Sequence, residues 1–159
     1  FEQGKNPFFI VLDGITDVRN FGAIARSALG AGVDALIIPA RNAARVNPDA
    51  VKTSAGALHK MTLCRVFSLR DTIWFLKNSG IKVIAAAGEA SENYFEQDLT
   101  APVALMLGAE ENGIALTNLK AADVQVKIPL QGNLESLNVS AAAAVLAYEV
   151  VKQRILEES

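Results

Sequence analysis

Two polar clusters in a largely apolar chain carry the residues best suited to chemistry. Asn20 and Arg26 flank the first turn of a helix-like segment, and Ser136 and Asn138 lie in the polar loop before the last helix-like segment. A guanidinium is a poor proton acceptor, so Arg26 is suited to binding or stabilising a negative charge. The simpler interpretation is that Asn20 caps one helix, that Ser136 or Asn138 caps the other, and that Arg26 is solvated. For Asn20 and Arg26, spacing alone favours that interpretation.

Glycines at the ends of apolar runs mark a second kind of candidate site. Gly88 follows the run 83–87, and Gly108 follows the run 103–107. In open α/β sheets, ligands bind beyond the carboxyl ends of strands, where a glycine lets them approach the backbone closely. Most strand-end glycines merely form tight turns, so these two alone are weak evidence. The chain carries neither the glycine pattern of a Rossmann dinucleotide site nor that of a phosphate-binding P-loop.

Composition narrows the class of protein. The 159 residues are enough for one ordinary domain, and 51% hydrophobic and 20% charged residues exclude disorder, collagen and coiled coils. A single cysteine, Cys64, excludes an internal disulfide and a zinc cluster, and a single histidine, His59, leaves little room for a His-based metal site. We therefore predict no metal site, and we expect His59 to be a packed or surface residue. A net charge of −2 does not by itself indicate nucleic-acid binding.

The apolar runs are short and continuous, as in parallel strands that helices bury on both faces. Helix-like segments lie between them, so the sequence predicts an α/β fold. The final segment, from Asn138 to about Glu157, is apolar on all sides up to Tyr148 and must be buried on more than one side. Burial by its own domain and burial at a subunit interface explain this pattern equally well. The predicted strands cover residues 8–12, 35–39, 83–87, 103–107 and 124–130, and the other predicted helices cover residues 20–29 and 68–78.

The chain shows no targeting or membrane segment. No stretch approaches the roughly 20 uncharged apolar residues that a membrane span requires. The amino terminus lacks an initiator Met and a signal-peptide pattern, so we expect a piece of a longer protein from which an upstream domain is missing. With no secretory signal and a lone thiol, a cytoplasmic location is the expectation.

Three segments of the chain form one ordered pattern. They read NFGAIAR at residues 20–26, LMLGAEENGI at 105–114 and IPLQGNLESLNVSA at 128–141. In order and spacing they resemble the three motifs of the SpoU (TrmH-like) branch of the SPOUT superfamily of RNA ribose 2′-O-methyltransferases. The resemblance spans residues 8 to about 155, and no motif position departs from the family pattern.

The resemblance implies that residues 1–159 are one catalytic domain, of α/β class, with a mostly parallel sheet flanked by helices and a C-terminal trefoil knot. It also implies an upstream RNA-binding domain and a homodimer through the C-terminal helix, which favours the interface interpretation of that helix. The implied methyl donor is S-adenosylmethionine. The residues implied to bind it are Gly88, Leu107, Gly108, Ile128 and Leu137.

The implied reaction is attack of a ribose 2′-hydroxyl of RNA on the donor methyl group. That hydroxyl is a weak nucleophile, so its developing negative charge must be stabilised or its proton removed. We hypothesise that Arg26 stabilises the alkoxide and grips the adjacent phosphate, with proton loss to phosphate or water. Asn20 and Glu110 would orient Arg26 or the ribose, and Ser136 and Asn138 would line the same cleft.

Ribosomal RNA, methylated at a guanosine, is the first choice of substrate. Residues 47–57 resemble the matching segment of the family members that methylate ribosomal RNA at guanosine. The alternatives are a tRNA 2′-O-methyltransferase and a SPOUT RNA-binding protein that has lost catalysis, against which the intact motif residues argue. An unrelated nucleotide-binding α/β protein has no phosphate-binding motif to support it.

The small net charge hides an asymmetry along the chain. Residues 1–82 carry a net charge of +5, and residues 83–159 carry −7. Six basic residues between Arg41 and Arg70 stand against Asp49 alone. A solvated surface would explain this, but beside a ribose-methylating site a phosphate-contacting face is favoured. We therefore predict that RNA is bound by Arg41, Arg45 and Lys52.

Overall fold

The computed structural model describes residues 6–41, 47–109 and 112–159. Within these ranges the chain forms seven β-strands and five α-helices. The strands are β1 (Phe8–Asp13), β2 (Ala35–Pro39), β3 (Leu63–Val66), β4 (Lys82–Ala86), β5 (Glu92–Asn93), β6 (Val103–Gly108) and β7 (Val124–Lys127). The helices are α1 (Val18–Gly30), α2 (Pro48–Thr53), α3 (Leu69–Asn78), α4 (Leu116–Ala121) and α5 (Val139–Glu158), with short 3-10 turns at Ala57–His59 and Tyr94–Glu96.

The strands form one sheet in the order β3-β2-β1-β6-β4-β7-β5, and each neighbouring pair is parallel. The central pair, β1 and β6, runs in register from Phe8↔Val103 to Asp13↔Gly108. The chain builds outward from β1 to β3 and then crosses to the other half of the sheet. The boundary between β1 and β6 is therefore the switch point, beside which parallel α/β sheets bind ligands.

The sheet separates two apolar cores, which is why its strands are apolar at successive positions. Helices α1 and α5 cover one face, where Ile10 and Leu105 are fully buried. Helices α3 and α4 cover the other face, where Val11 and Met106 are fully buried. Because successive side chains of a strand point to opposite faces, each central strand contributes to both cores.

The predicted α/β class with a parallel sheet is confirmed, and the trefoil knot stays a prediction of the resemblance. The strand predicted over 124–130 ends at Lys127, because the next residues leave the sheet and line a cleft. The sequence missed β3, an edge strand in which Cys64 and Arg65 are exposed. A half-exposed strand has no continuous apolar run, so the pattern used for the central strands does not detect it.

The helix starts follow from side-chain caps. Asp17 caps α1, since its Oδ1 accepts hydrogen bonds from the backbone N–H groups of Arg19 (2.9 Å) and Asn20 (3.0 Å). The interpretation of Asn20 as the cap is therefore wrong, and its side chain is released for other contacts. Ser68 caps α3, and Asn138 caps α5, which is one of the two caps that the simpler interpretation offered for that helix.

The end of α5 is fastened to the amino-terminal edge of the sheet. Burial lowers the pKa of the Arg154 guanidinium, although Asp34 and Glu157 act in the opposite direction. That burial is offset by hydrogen bonds to backbone carbonyls. The Arg154 guanidinium donates, at 3.0–3.3 Å, to the carbonyls of Asn6, Pro7, Leu99 and Ala101.

Gln153 strengthens this attachment from the next position of α5. Its Oε1 accepts from the Leu99 N–H at 2.8 Å, and its Nε2 donates to the Gln97 carbonyl at 3.1 Å. The same Nε2 donates to the carboxylate of Glu149, which is buried. The segment entering β6 is thus held by the last helix of the chain.

One face of α5 packs within the domain, and the other carries an open apolar stripe. The packed face carries Ala143, Leu146 and Val150, which are buried in the core that α5 shares with α1. The open stripe recurs at helical spacing and consists of exposed or half-buried residues: Ala141, Ala144, Tyr148, Val151 and Ile155.

Within the described ranges, no helix is long and apolar enough to cross a membrane.

Candidate functional site

A cleft of about 850 Å³ opens at the carboxyl edge of the sheet. The ends of β4, β6 and β7 form one side, and residues 128–131 and 134–137 of the loop that leads to α5 form the other. This volume suits a small organic ligand. All five residues predicted to bind a methyl donor line the cleft, namely Gly88, Leu107, Gly108, Ile128 and Leu137.

Gly108 allows the chain to close one wall of this cleft with its own backbone. A Cβ at this position would fall well inside van der Waals contact of backbone atoms of Gly113 and Ile114. The glycine is therefore required for the close approach of two chain segments, whether or not a ligand is bound.

Asp13 holds the same wall from the neighbouring strand. It is the register partner of Gly108, and its Oδ2 accepts from the Ala115 N–H at 2.8 Å and from the Asn118 amide at 3.0 Å. These bonds tie the start of α4 to the end of β1. Sequence reasoning did not single out Asp13. The feature that could have identified it is its position as an acidic residue directly after an apolar run.

Gly88 differs from Gly108 in the space around its Cα atom. A Cβ at Gly88 would meet no atom within 4 Å, and its backbone does not adopt the positive φ that favours glycine. Neither packing nor conformation within this chain requires a glycine there. The open space at the cleft wall therefore fits the close approach of a ligand to the backbone.

Two of the predicted catalytic residues contact each other across the domain. Asn138 Nδ2 donates to Asn20 Oδ1 at 3.1 Å, which joins the first turn of α1 to the start of α5. The Asn138 Oδ1 accepts from the Ser140 N–H at 2.9 Å and so caps α5. Asn138 therefore positions the Asn20 amide while its own orientation is fixed by the helix. Ser136 is exposed and lines the cleft.

Arg26 is exposed on α1 and is not among the residues that line the cleft. Considering only described residues, its guanidinium makes no hydrogen bond and no ion pair, which leaves it available to an anion. Glu110, the remaining predicted catalytic residue, lies outside the described residues.

The charged side chains at the cleft are Glu89, Lys127 and Glu135, counting described residues alone. Sequence reasoning did not single out Glu89, which follows Gly88 at the rim. No group of three or more potential metal-ligating side chains occurs in the described part of the chain.

The predicted RNA-contacting residues lie on the other half of the sheet. Arg41 is exposed just beyond the end of β2, and Lys52 is exposed on α2. Arg45 lies outside the described residues.

The fold and cleft together define a class: an α/β domain whose parallel sheet presents a ligand cleft at its carboxyl edge. The sequence profile of the SpoU rRNA Methylase family matches residues 7–148. The chain belongs to this family.

Individual relatives agree with that assignment. RlmB of Photorhabdus laumondii subsp. laumondii, a 23S rRNA (guanosine-2′-O-)-methyltransferase, is 42% identical over 152 residues, 96% of this chain and 62% of that protein. RlmB of Escherichia coli (strain K12) is 38% identical over 148 residues, 93% of this chain and 61% of that protein. The chain thus spans less than two thirds of the length of these relatives.

A solved structure matches the fold over almost the whole chain. It is the SpoU methyltransferase AviRb from Streptomyces viridochromogenes in complex with the cofactor AdoMet. The TM-score is 0.87 at 30% identity, with 95% of this chain and 59% of that one covered. The resemblance seen in the three motifs is therefore confirmed at the level of family and fold.

Proposed function

We propose that this chain is the catalytic domain of an enzyme that methylates a ribose 2′-hydroxyl of RNA, with S-adenosylmethionine as donor. The target we propose is a guanosine of ribosomal RNA, in the cytoplasm. The observation that carries the proposal is that residues of the second and third motifs line one cleft, while Asn20 of the first motif is hydrogen-bonded to Asn138 of the third. The RlmB relatives are named for this reaction.

The cleft fits a donor that is bound mainly through backbone atoms. It is walled by strand ends and apolar side chains such as Leu107, Ile128 and Leu137, with Gly88 offering open backbone. Glu89 is the rim carboxylate suited to a positively charged ligand. When bound, S-adenosylmethionine supplies an electrophilic methyl group.

The chain's own contribution to the chemistry is charge stabilisation and orientation. Arg26 stabilises the negative charge that develops on the 2′-oxygen and grips the adjacent phosphate. Asn20, held by Asn138, orients the ribose or Arg26. Because Arg26 is a poor proton acceptor, the proton leaves to phosphate or water.

The test is methylation of unmodified ribosomal RNA by this chain with labelled S-adenosylmethionine, followed by mapping of the position that becomes resistant to alkaline hydrolysis. We expect label on the ribose of a guanosine. Label on a base would overturn the proposal, as would RNA binding without methyl transfer.

Replacing Gly88 by Ala tests the donor site directly. We expect Gly88→Ala to weaken donor binding about tenfold, because the added methyl group enters space that the ligand fills. The thermal unfolding temperature should stay unchanged, since a Cβ at this position meets no protein atom. Calorimetric titration with S-adenosylmethionine measures the first quantity.

Gly132→Ala is the matched control. Gly132 also has open space and no positive φ, but it does not line the cleft. The Gly132→Ala variant should bind the donor with the same affinity as the unaltered chain. Equal donor affinity of the Gly88 and Gly132 variants would contradict the assigned role of Gly88.

We also propose that the chain forms a homodimer through α5. The open stripe described above is apolar over four turns and is continuous with the face that packs on α1, so a second copy would bury both stripes symmetrically. Ile155→Glu, at a residue that is 59% exposed, should then give a folded monomer.

Sedimentation equilibrium distinguishes the outcomes. Leu116→Glu is the control, because Leu116 is 63% exposed but lies on α4, which covers the opposite face of the sheet. The unaltered chain and the control should sediment with the mass of two chains. A monomeric unaltered chain would contradict the proposed dimer.

A further inference from the structure

A fully exposed aromatic residue stands at the carboxyl edge of the sheet, away from the cleft. Phe67 follows β3 directly, and its side chain is 99% exposed. Single exposed apolar residues are common on protein surfaces, so what this ring could bind is indicated by the charged residues near it.

One arginine comes close to this position from the neighbouring strand. Pro39 pairs with Val66, and the Ala40 N–H donates to the Val66 carbonyl at 2.8 Å, so Ala40 comes opposite Phe67 and Arg41 follows one position further along the chain.

Two further arginines come from the neighbouring elements. Arg65 is exposed on β3, two residues before Phe67, and Arg70 is exposed in the first turn of α3. Ser68 caps that helix, accepting from the Asp71 N–H at 3.1 Å, and so fixes how the chain turns from ring to helix. We name Arg41, Arg65, Phe67 and Arg70 the β3-edge surface.

Basic residues outnumber acidic ones in the part of the chain that forms this surface. Between Asp49 and Glu89 the sequence holds six Lys or Arg residues and a single acidic one, Asp71. A ring flanked by cations suits an unpaired polynucleotide, whose bases stack on aromatic faces while its phosphates meet guanidinium groups. An apolar protein partner would cover the ring but leave the guanidinium groups without anions.

The edge is also close to the site. Adjacent strands lie about 4.8 Å apart, so β3 is three spacings, roughly 14 Å, from β6, the nearest strand that lines the cleft, and both strands end at the same edge of the sheet. One RNA strand can therefore contact the β3-edge surface and the cleft together.

We propose that the β3-edge surface binds a single-stranded part of the RNA substrate, with one base stacked on Phe67 and the flanking phosphates held by Arg41, Arg65 and Arg70. This inference rests on the proposed RNA-methylating function. It adds a stacking residue that none of the three motifs contains.

Fluorescence gives a direct measure of stacking. The chain has one tryptophan, Trp74, so the double variant Phe67→Trp, Trp74→Phe carries a single indole at position 67. We expect short single-stranded polyadenylate RNA to quench its emission strongly. An abasic RNA of equal length should quench it little, although it carries the same phosphates.

The RNA affinities of further variants distinguish the contribution of the ring from that of the charged side chains. Phe67→Leu should bind polyadenylate on the order of tenfold more weakly and abasic RNA unchanged, whereas Phe67→Trp should retain both affinities. Arg70→Ala should weaken the binding of both RNAs. Phe75→Leu is the matched control: Phe75 is a phenylalanine 65% exposed on α3, with Asp71 one turn before it, and should change neither affinity.

The outcomes keep the two proposals apart. If ribosomal RNA is methylated but Phe67→Leu binds polyadenylate as tightly as the unaltered chain, the stacking inference fails and the proposed function stands. If no RNA is methylated while the quenching and affinity differences appear, the proposed function fails and the RNA surface stands. Equal weakening by Phe67→Leu and Phe75→Leu would also overturn the stacking assignment.

Discussion

Arg26→Ala is expected to slow methyl transfer by about 10²–10³ while leaving the affinity for S-adenosylmethionine unchanged. In the proposed mechanism, Arg26 acts on charge that appears only as the 2′-oxygen reacts. Its guanidinium is exposed and does not line the cleft, so a bound donor gains nothing from it. Single-turnover rates and calorimetric titration measure the two quantities separately.

Two further variants sharpen this expectation. Arg26→Lys keeps the charge but loses the planar pair of donors, and we expect an intermediate rate. Lys120→Ala removes an exposed cation from α4 and should leave the rate unchanged. A loss of donor affinity as large as the loss of rate in Arg26→Ala would show that Arg26 binds the donor, contrary to the role assigned here.

Gly108→Ala is expected to damage both stability and donor binding. Its Cβ would overlap the backbone of Gly113 and Ile114, so the wall of the cleft must move away from β6. Overpacking of this kind costs about 1–3 kcal/mol, which lowers the unfolding temperature of a domain this size by roughly 3–10 °C. Donor affinity should fall at least about tenfold, because the displaced segment lines the cleft.

The contrast with Gly88→Ala makes this result informative. Both glycines line the cleft, but only Gly108 touches the chain's own backbone. Thermal unfolding should therefore separate the two variants, whereas donor titration should not. An unchanged unfolding temperature in Gly108→Ala would mean that the wall adapts freely and that the close approach is not needed.

Much of the fold was predictable because burial on both sides leaves a direct trace in the sequence. β1, β2 and β6 are continuous apolar runs and were predicted within a residue of their observed bounds. β3 was not, since exposed Cys64 and Arg65 interrupt its apolar character. An edge strand forms because it pairs with a neighbouring strand, and the residues of the edge strand alone do not reveal that partner.

The sequence motifs predicted five residues that line the cleft, but not the contacts that place the chain around it. Motif spacing picked out Gly108, yet its close contact with Gly113 depends on how the intervening loop folds. Asp13 escaped notice because its partners, Ala115 and Asn118, are more than 100 positions away in sequence. The hydrogen bond between Asn20 and Asn138 likewise joins positions that only the finished fold brings together.

The attachment of Arg154 has a consequence for how the domain is made. Its guanidinium binds carbonyls of Asn6 and Pro7, which are 148 and 147 positions earlier in the chain. Contacts of such high sequence separation slow folding, since a long loop must close before they form. During synthesis, the amino-terminal edge of the sheet cannot be completed until Arg154 has left the ribosome. We therefore expect chains that stop short of Arg154 to expose the ends of β1 and β6 and to be vulnerable to aggregation.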